Sequence, residues 1–216
     1  MGRGASRAAG HGGGGGGGAT NIEDMISARN DSNKQQVDDV LAVADVMTKK
    51  YGKDVAIEGT FQVGDMKGRT LAYYDHDGNI CMNRKYINNT NLDDAYDSCV
   101  EVGFHPSRGK KSGTYATAAH EYGHSLTENV RKKMGNNVTF DGAATQIVTE
   151  ARKTTKHRGN IKFGESISGY AKKSDAETVA EAVSDVFCNG KKAKKESHAV
   201  VDVIDKYLLG NKKKKK

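Results

Sequence analysis

The chain has 216 residues, of which 36% are hydrophobic and none is tryptophan, and it carries a formal net charge of +7. That length suits one domain with tails. The charge lies at the ends, in Arg3, Arg7 and the lysines at 212–216, so residues 21–211 are formally neutral and a basic nucleic-acid-binding core is excluded.

Taken in order, residues 1–20 hold ten of the 26 glycines, including an unbroken run at 12–18. Such a stretch cannot bury apolar surface and loses much backbone entropy on ordering, so a disordered leader is expected there. It has no apolar core of the kind a secretory signal needs, and no later stretch has the roughly 18 apolar residues of a membrane span. The expected domain runs over 21–210, and the lysine tail at 211–216 reads as solvated charge with only non-specific attraction to nucleic acid.

Val37, Val40, Leu41, Ala44, Met47 and Tyr51 recur at helical spacing, with Asn33 or a neighbour as cap. Short extended runs follow at 55–62, 70–74 and 79–83, the last two flanking Asp77-Gly78, which is good hairpin chemistry. A short helix is expected at 91–100 and a loop at 103–113, around Pro106, the only proline. Beyond it the pattern predicts helices near 114–132, 141–156, 175–188 and 196–209. The expected class is α+β: a small twisted sheet, an active-site helix and a C-terminal helical half.

His120-Glu121-Tyr122-Gly123-His124 is an H-E-x-x-H motif within the helix expected at 114–132. Residues four apart share a helix face, so His120 and His124 can bind one metal ion, with Glu121 beside them as general base. The chemistry this predicts is hydrolysis, in which zinc acidifies a water and polarises a carbonyl while the carboxylate moves the proton. Ala116, Ala118, Ala119 and Gly123 keep the helix slim enough to approach a second ligand helix closely. Thr127 and Val130 stand where the metzincin continuation needs glycine and histidine, so the third ligand must come from farther away.

Glu177, Glu181 and Asp185 form a carboxylate stripe at four-residue spacing and supply the best candidates. One of them can bind the metal while a neighbour holds a histidine ring. Glu150 and Glu165 lack any flanking pattern. Of the other histidines, His11, His76, His105, His157 and His198 read as surface residues, with His157 the one to watch as an additional ligand. Cys81, Cys99 and Cys188 read as small apolar residues, too few and too scattered for a disulfide framework, and their odd number suits a reducing compartment.

The motif His-Glu-Tyr-Gly-His, with Ile-Ser-Gly-Tyr-Ala-x-x-x-x-Ala-Glu-x-x-Ala-Glu-Ala some forty residues on, resembles the catalytic domain of anthrax lethal factor and related gluzincin-like domains. Many of these are encoded by bacteriophages and mobile elements of Gram-positive bacteria. The resemblance is sharp over 120–124 and 168–182 and covers neither tail. It implies a zincin-like fold, zinc ligands at His120, His124 and Glu177, Glu121 as general base, Tyr170 as a hydroxyl donor in the transition state, and Glu181 as support for the ligands. A thermolysin-like register would instead make Glu181 the ligand and Asp185 its supporter. Thr178-Val179 depart from the aromatic residues common in the family.

The expected activity is zinc-dependent endopeptidase action on a protein or peptide substrate that pairs with a sheet edge at 79–83. The alternative is a phage structural or morphogenesis protein that keeps a zincin fold for its architecture and has phage particle components as partners. Either expectation places the chain in the cytoplasm of a bacterial host or with the virion.

Overall fold

The computed structural model describes residues 30, 33–52, 61–68, 70–74, 80–87 and 92–210. The leader, the lysine tail, His11, His76, the Asp77-Gly78 turn and most of the extended run at 55–62 lie outside them.

Helix α1 (Lys34–Tyr51) forms where the apolar spacing predicts it, burying Val37, Val40, Val43, Ala44, Met47 and Tyr51. Asn33 stands at its N-cap without a side-chain bond to the helix; its Oδ1 instead accepts from the Asn30 N–H at 2.8 Å. Gly52, at φ 96°, closes the helix in a backbone conformation that side chains rarely adopt.

Three short strands follow: β1 (Phe61–Gly64), β2 (Ala72–Tyr74) and β3 (Ile80–Asn83). Their order is β1-β3-β2, with β1 parallel and β2 antiparallel to β3. This corrects one expectation. The run at 79–83 is no sheet edge, because β3 is hydrogen-bonded on both sides and all four of its residues are buried. The strand that packs on the motif helix from the sheet's outer side is β2.

After α2 (Arg84–Ile87) and α3 (Leu92–Glu101), the loop around Pro106 is pinned by Arg108, whose Nε and NH2 each reach an Asp97 carboxylate oxygen at 2.8 Å. Ser112 then caps α4 (Gly113–Met134) by accepting from the Tyr115 N–H. Helix α4 is the axis of the molecule. It packs against α1, α3, both β2 and β3, and three of the helices that follow, and Ala116, Ala118, Ala119, Tyr122, Leu126 and Val130 are essentially inaccessible.

The helical half continues with α5 (Phe140–Thr155), capped by Thr139, and α6 (Asn160–Ile167). A 3-10 turn (Ala171–Lys173) leads into α7 (Asp175–Asn189), and α8 (Lys195–Leu209) closes the chain's described part. The helix α6 was not predicted by the sequence pattern. Helices α5, α7 and α8 pack on one another and on α4, joining Ile147, Val148, Val179, Val183, Val200 and Ile204 into one core. The chain is thus mostly helical with a small mixed sheet, an α+β arrangement. No described helix is long and apolar enough to cross a membrane.

Candidate metal centre

The site lies where α4 and α7 touch. A Cβ built on Gly123 would stand 2.5 Å from the Ala180 Cα, so only glycine permits this approach of the two backbones. One helical turn separates His120 from His124, which puts both rings on the face that meets α7. Glu177 lies in the first turn of α7, where the Ser174 hydroxyl accepts from its N–H at 3.1 Å. Its Oε2 lies 3.2 Å from His120 Nε2 and 3.6 Å from His124 Nε2. One ligand atom from each of the three residues falls within 4.8 Å of the other two.

The donor set fits a divalent cation. Glu177 Oε2 is buried and makes no well-aligned hydrogen bond with any described residue, although two imidazole nitrogens converge on it. An orphaned buried carboxylate oxygen is costly, and a cation held between it and the two nitrogens would remove that cost. Two imidazole nitrogens and one carboxylate oxygen suit zinc and leave a coordination position open.

Glu181 lies one turn beyond Glu177 and serves the ligands from behind. Its Oε1 is 2.8 Å from His120 Nδ1, and its Oε2 accepts from the Ser168 hydroxyl at 2.7 Å. Burial alone would raise its pKa, but its bonds to His105 and His120 hold it down at about 2. Burial likewise pushes His120 down, and the neighbouring Glu177 and Glu181 more than offset this, keeping that imidazole well above its usual range. The Nδ1 of His124 is buried with no hydrogen-bond partner among the described residues, and burial with the nearby His120 lowers this imidazole to about 4. Asp185 is not part of the site. It caps α8, accepting from the Lys194 N–H at 2.9 Å and the Ser197 hydroxyl at 2.6 Å. The geometry therefore sets Glu177, and not Glu181, among the convergent ligand atoms.

Glu121 follows His120 directly in α4 and is only 5% exposed. Burial raises its carboxyl to about 7, despite opposing effects from His120 and a hydrogen bond from the Tyr74 backbone. Tyr170 comes from the turn before α7, its ring centroid 5.8 Å from that of His120. Burial, and then the nearby Glu177 carboxylate, push its phenol well up, so the hydroxyl keeps its proton.

His105 overturns its surface reading. It lies under the site with its Nδ1 3.0 and 3.1 Å from the two Glu181 oxygens, and its side chain is 12% exposed. The only local signal was its place beside Pro106 in a loop ahead of the motif helix. His157 is no ligand either: its Nε2 is 2.8 Å from Glu196. Glu150 is bound to Lys206 and Tyr207, and Glu165 to Lys162 and Lys172. Cys81 is buried in β3, burial pushes the Cys188 thiol up to about 12, and Cys99 is partly exposed.

Comparison of the chain with protein-family models, with curated proteins and with solved structures yields no match.

Proposed function

We propose that this chain is a zinc-dependent endopeptidase with a zincin-like fold, in which His120, His124 and Glu177 hold the metal. The observation that carries the reading is the convergence of one ligand atom from each of these residues, with the buried Glu121 following His120 in the chain. When bound, zinc would supply a Lewis acid that polarises the substrate carbonyl and acidifies a water. Glu121 would accept a proton from the attacking water and pass it to the leaving amine, the role of a general base and then acid. Tyr170 keeps its phenolic proton and donates a hydrogen bond to the oxygen that gains charge in the transition state. An extended peptide would add to the sheet along β2, the outer strand beside Glu121. The similarity of the motifs at 120–124 and 168–182 to the lethal factor catalytic domain supports the same reading.

The test is cleavage of a peptide library by zinc-loaded wild type and by Glu121→Gln. The expected result is turnover by the wild type and a loss of about 100- to 10,000-fold in the variant. Equal cleavage by both would remove Glu121 from its role. Stoichiometric zinc without cleavage by either would favour the particle component with a retained metal site.

A further inference from the structure

Glu181 holds the ring of His120, so whatever fixes Glu181 fixes a metal ligand. Three donors meet its two oxygens. His120 addresses Oε1 and Ser168 addresses Oε2, each from its own side. His105 alone reaches both, its Nδ1 at 3.0 Å from Oε1 and 3.1 Å from Oε2. A donor placed between the two oxygens resists rotation of the carboxylate plane, which single bonds to either oxygen leave freer.

His105 is itself firmly held. Its ring is stacked on Tyr96, with centroids 5.2 Å apart and planes inclined by 12°, and it meets Tyr170 edge-on at 5.4 Å. The backbone around it is strapped to the turn before α7: the Gly103 carbonyl accepts from the Gly169 N–H at 2.8 Å and the Phe104 carbonyl from the Tyr170 N–H at 2.9 Å. Gly169 leaves room for this approach, since a Cβ there would stand 3.1 Å from the Gly103 oxygen and crowd it. One short segment thus touches both the support of a metal ligand and the backbone that carries Tyr170.

We propose that His105 is a positioning residue of the metal centre: its Nδ1–H fixes the Glu181 carboxylate that orients His120, and the strap at 103–104 ties that orientation to the placement of Tyr170. The inference rests on the metal-centre reading above. It differs from a core histidine that merely fills space, because the Nδ1 donor, and not the ring's bulk, is what the site needs.

Three variants separate the two roles. His105→Phe keeps a ring for Tyr96 and removes the donor. His105→Asn places an amide nitrogen near the position of Nδ1, whereas His105→Gln carries its amide one atom farther out. Zinc affinity of each full-length protein is measured by competition with a chromophoric chelator, and the ligand field is read from the visible spectrum of the cobalt(II) form. The expected result is a loss of about 10- to 100-fold for Phe and Gln, with a changed cobalt spectrum, and recovery of most of the affinity by Asn. If the Phe variant does not fold, the Asn and Gln pair carries the comparison. Zinc affinities of Gln and Asn equal to each other and to that of the wild type would overturn the inference and leave the metal centre intact. A wild type that binds no zinc would overturn both.

Discussion

Replacing Gly123 by alanine tests the contact on which the site is built. The added Cβ would lie 2.5 Å from the Ala180 Cα and 3.3 Å from the Ala180 nitrogen and Cβ. Carbon atoms in contact prefer about 3.5–4.0 Å, so α4 and α7 must part by about 1 Å. The obstacle is backbone, which cannot swing aside as a flexible side chain would. Overpacking of this kind costs about 1–3 kcal/mol, and the better helix propensity of alanine offsets about 1 kcal/mol of that. The expected net loss is up to about 2 kcal/mol, or at most roughly 4–8 °C in Tm for a domain of this size. Ala180 stands three residues after Glu177 on the same helix, so the displacement also draws Glu177 Oε2 away from the two imidazoles. Urea unfolding of the metal-free protein and a zinc competition titration measure both effects, the second expected as a fall in affinity of about 10-fold or more. Unchanged stability together with unchanged zinc affinity would refute the close approach of the two helices as the basis of the site.

Burial makes the neutral form of Glu121 the one that suits the fold, because its pKa is raised from 4.5 to about 7. The sign follows directly: the stabilisation is complete below about 4.5 and is lost as pH rises through about 7, with a ceiling of about 3 kcal/mol. Metal-free Glu121→Gln should therefore outlast the wild type at about pH 8 and lose that advantage near about pH 4; parallel melting curves across this range would refute the assignment. Ser174→Ala removes the hydroxyl that accepts from the Glu177 N–H, and should cost about 0.5–2 kcal/mol by thermal denaturation while weakening zinc binding. A stability loss without any change in zinc affinity would show that the cap does not help to position Glu177.

Much of the molecule was legible because its signals are local. The spacing of Val37, Val40, Ala44 and Met47 set out α1, and the four-residue interval between His120 and His124 placed both rings on one face. The slim residues around Gly123 pointed to a close helix neighbour, and the stripe of Glu177, Glu181 and Asp185 offered the third ligand without choosing among them, a choice that only the family resemblance turned toward Glu177. What stayed hidden depends on contacts distant in the chain. His105 and Glu181 are 76 residues apart, and nothing near Pro106 reveals that they meet. The sheet order was similarly out of reach, since the parallel pairing of β1 with β3 leaves no mark in the alternation of either strand. Helix α6 is eight residues long with Gly164 in its interior, and that glycine is explained by distant neighbours, the Thr178 hydroxyl and the Ala171 carbonyl oxygen, which a Cβ would approach to 2.7 and 3.0 Å.

The central claim is that His120, His124 and Glu177 hold one zinc ion, and X-ray absorption at the zinc edge tests it most directly. Wild-type protein loaded with one equivalent of zinc should show two imidazole nitrogens and oxygen donors at about 2.0–2.2 Å, and His124→Ala should lose one imidazole contribution. Zinc that does not remain bound at one equivalent after dialysis, or a spectrum that is the same in wild type and His124→Ala, would contradict the account.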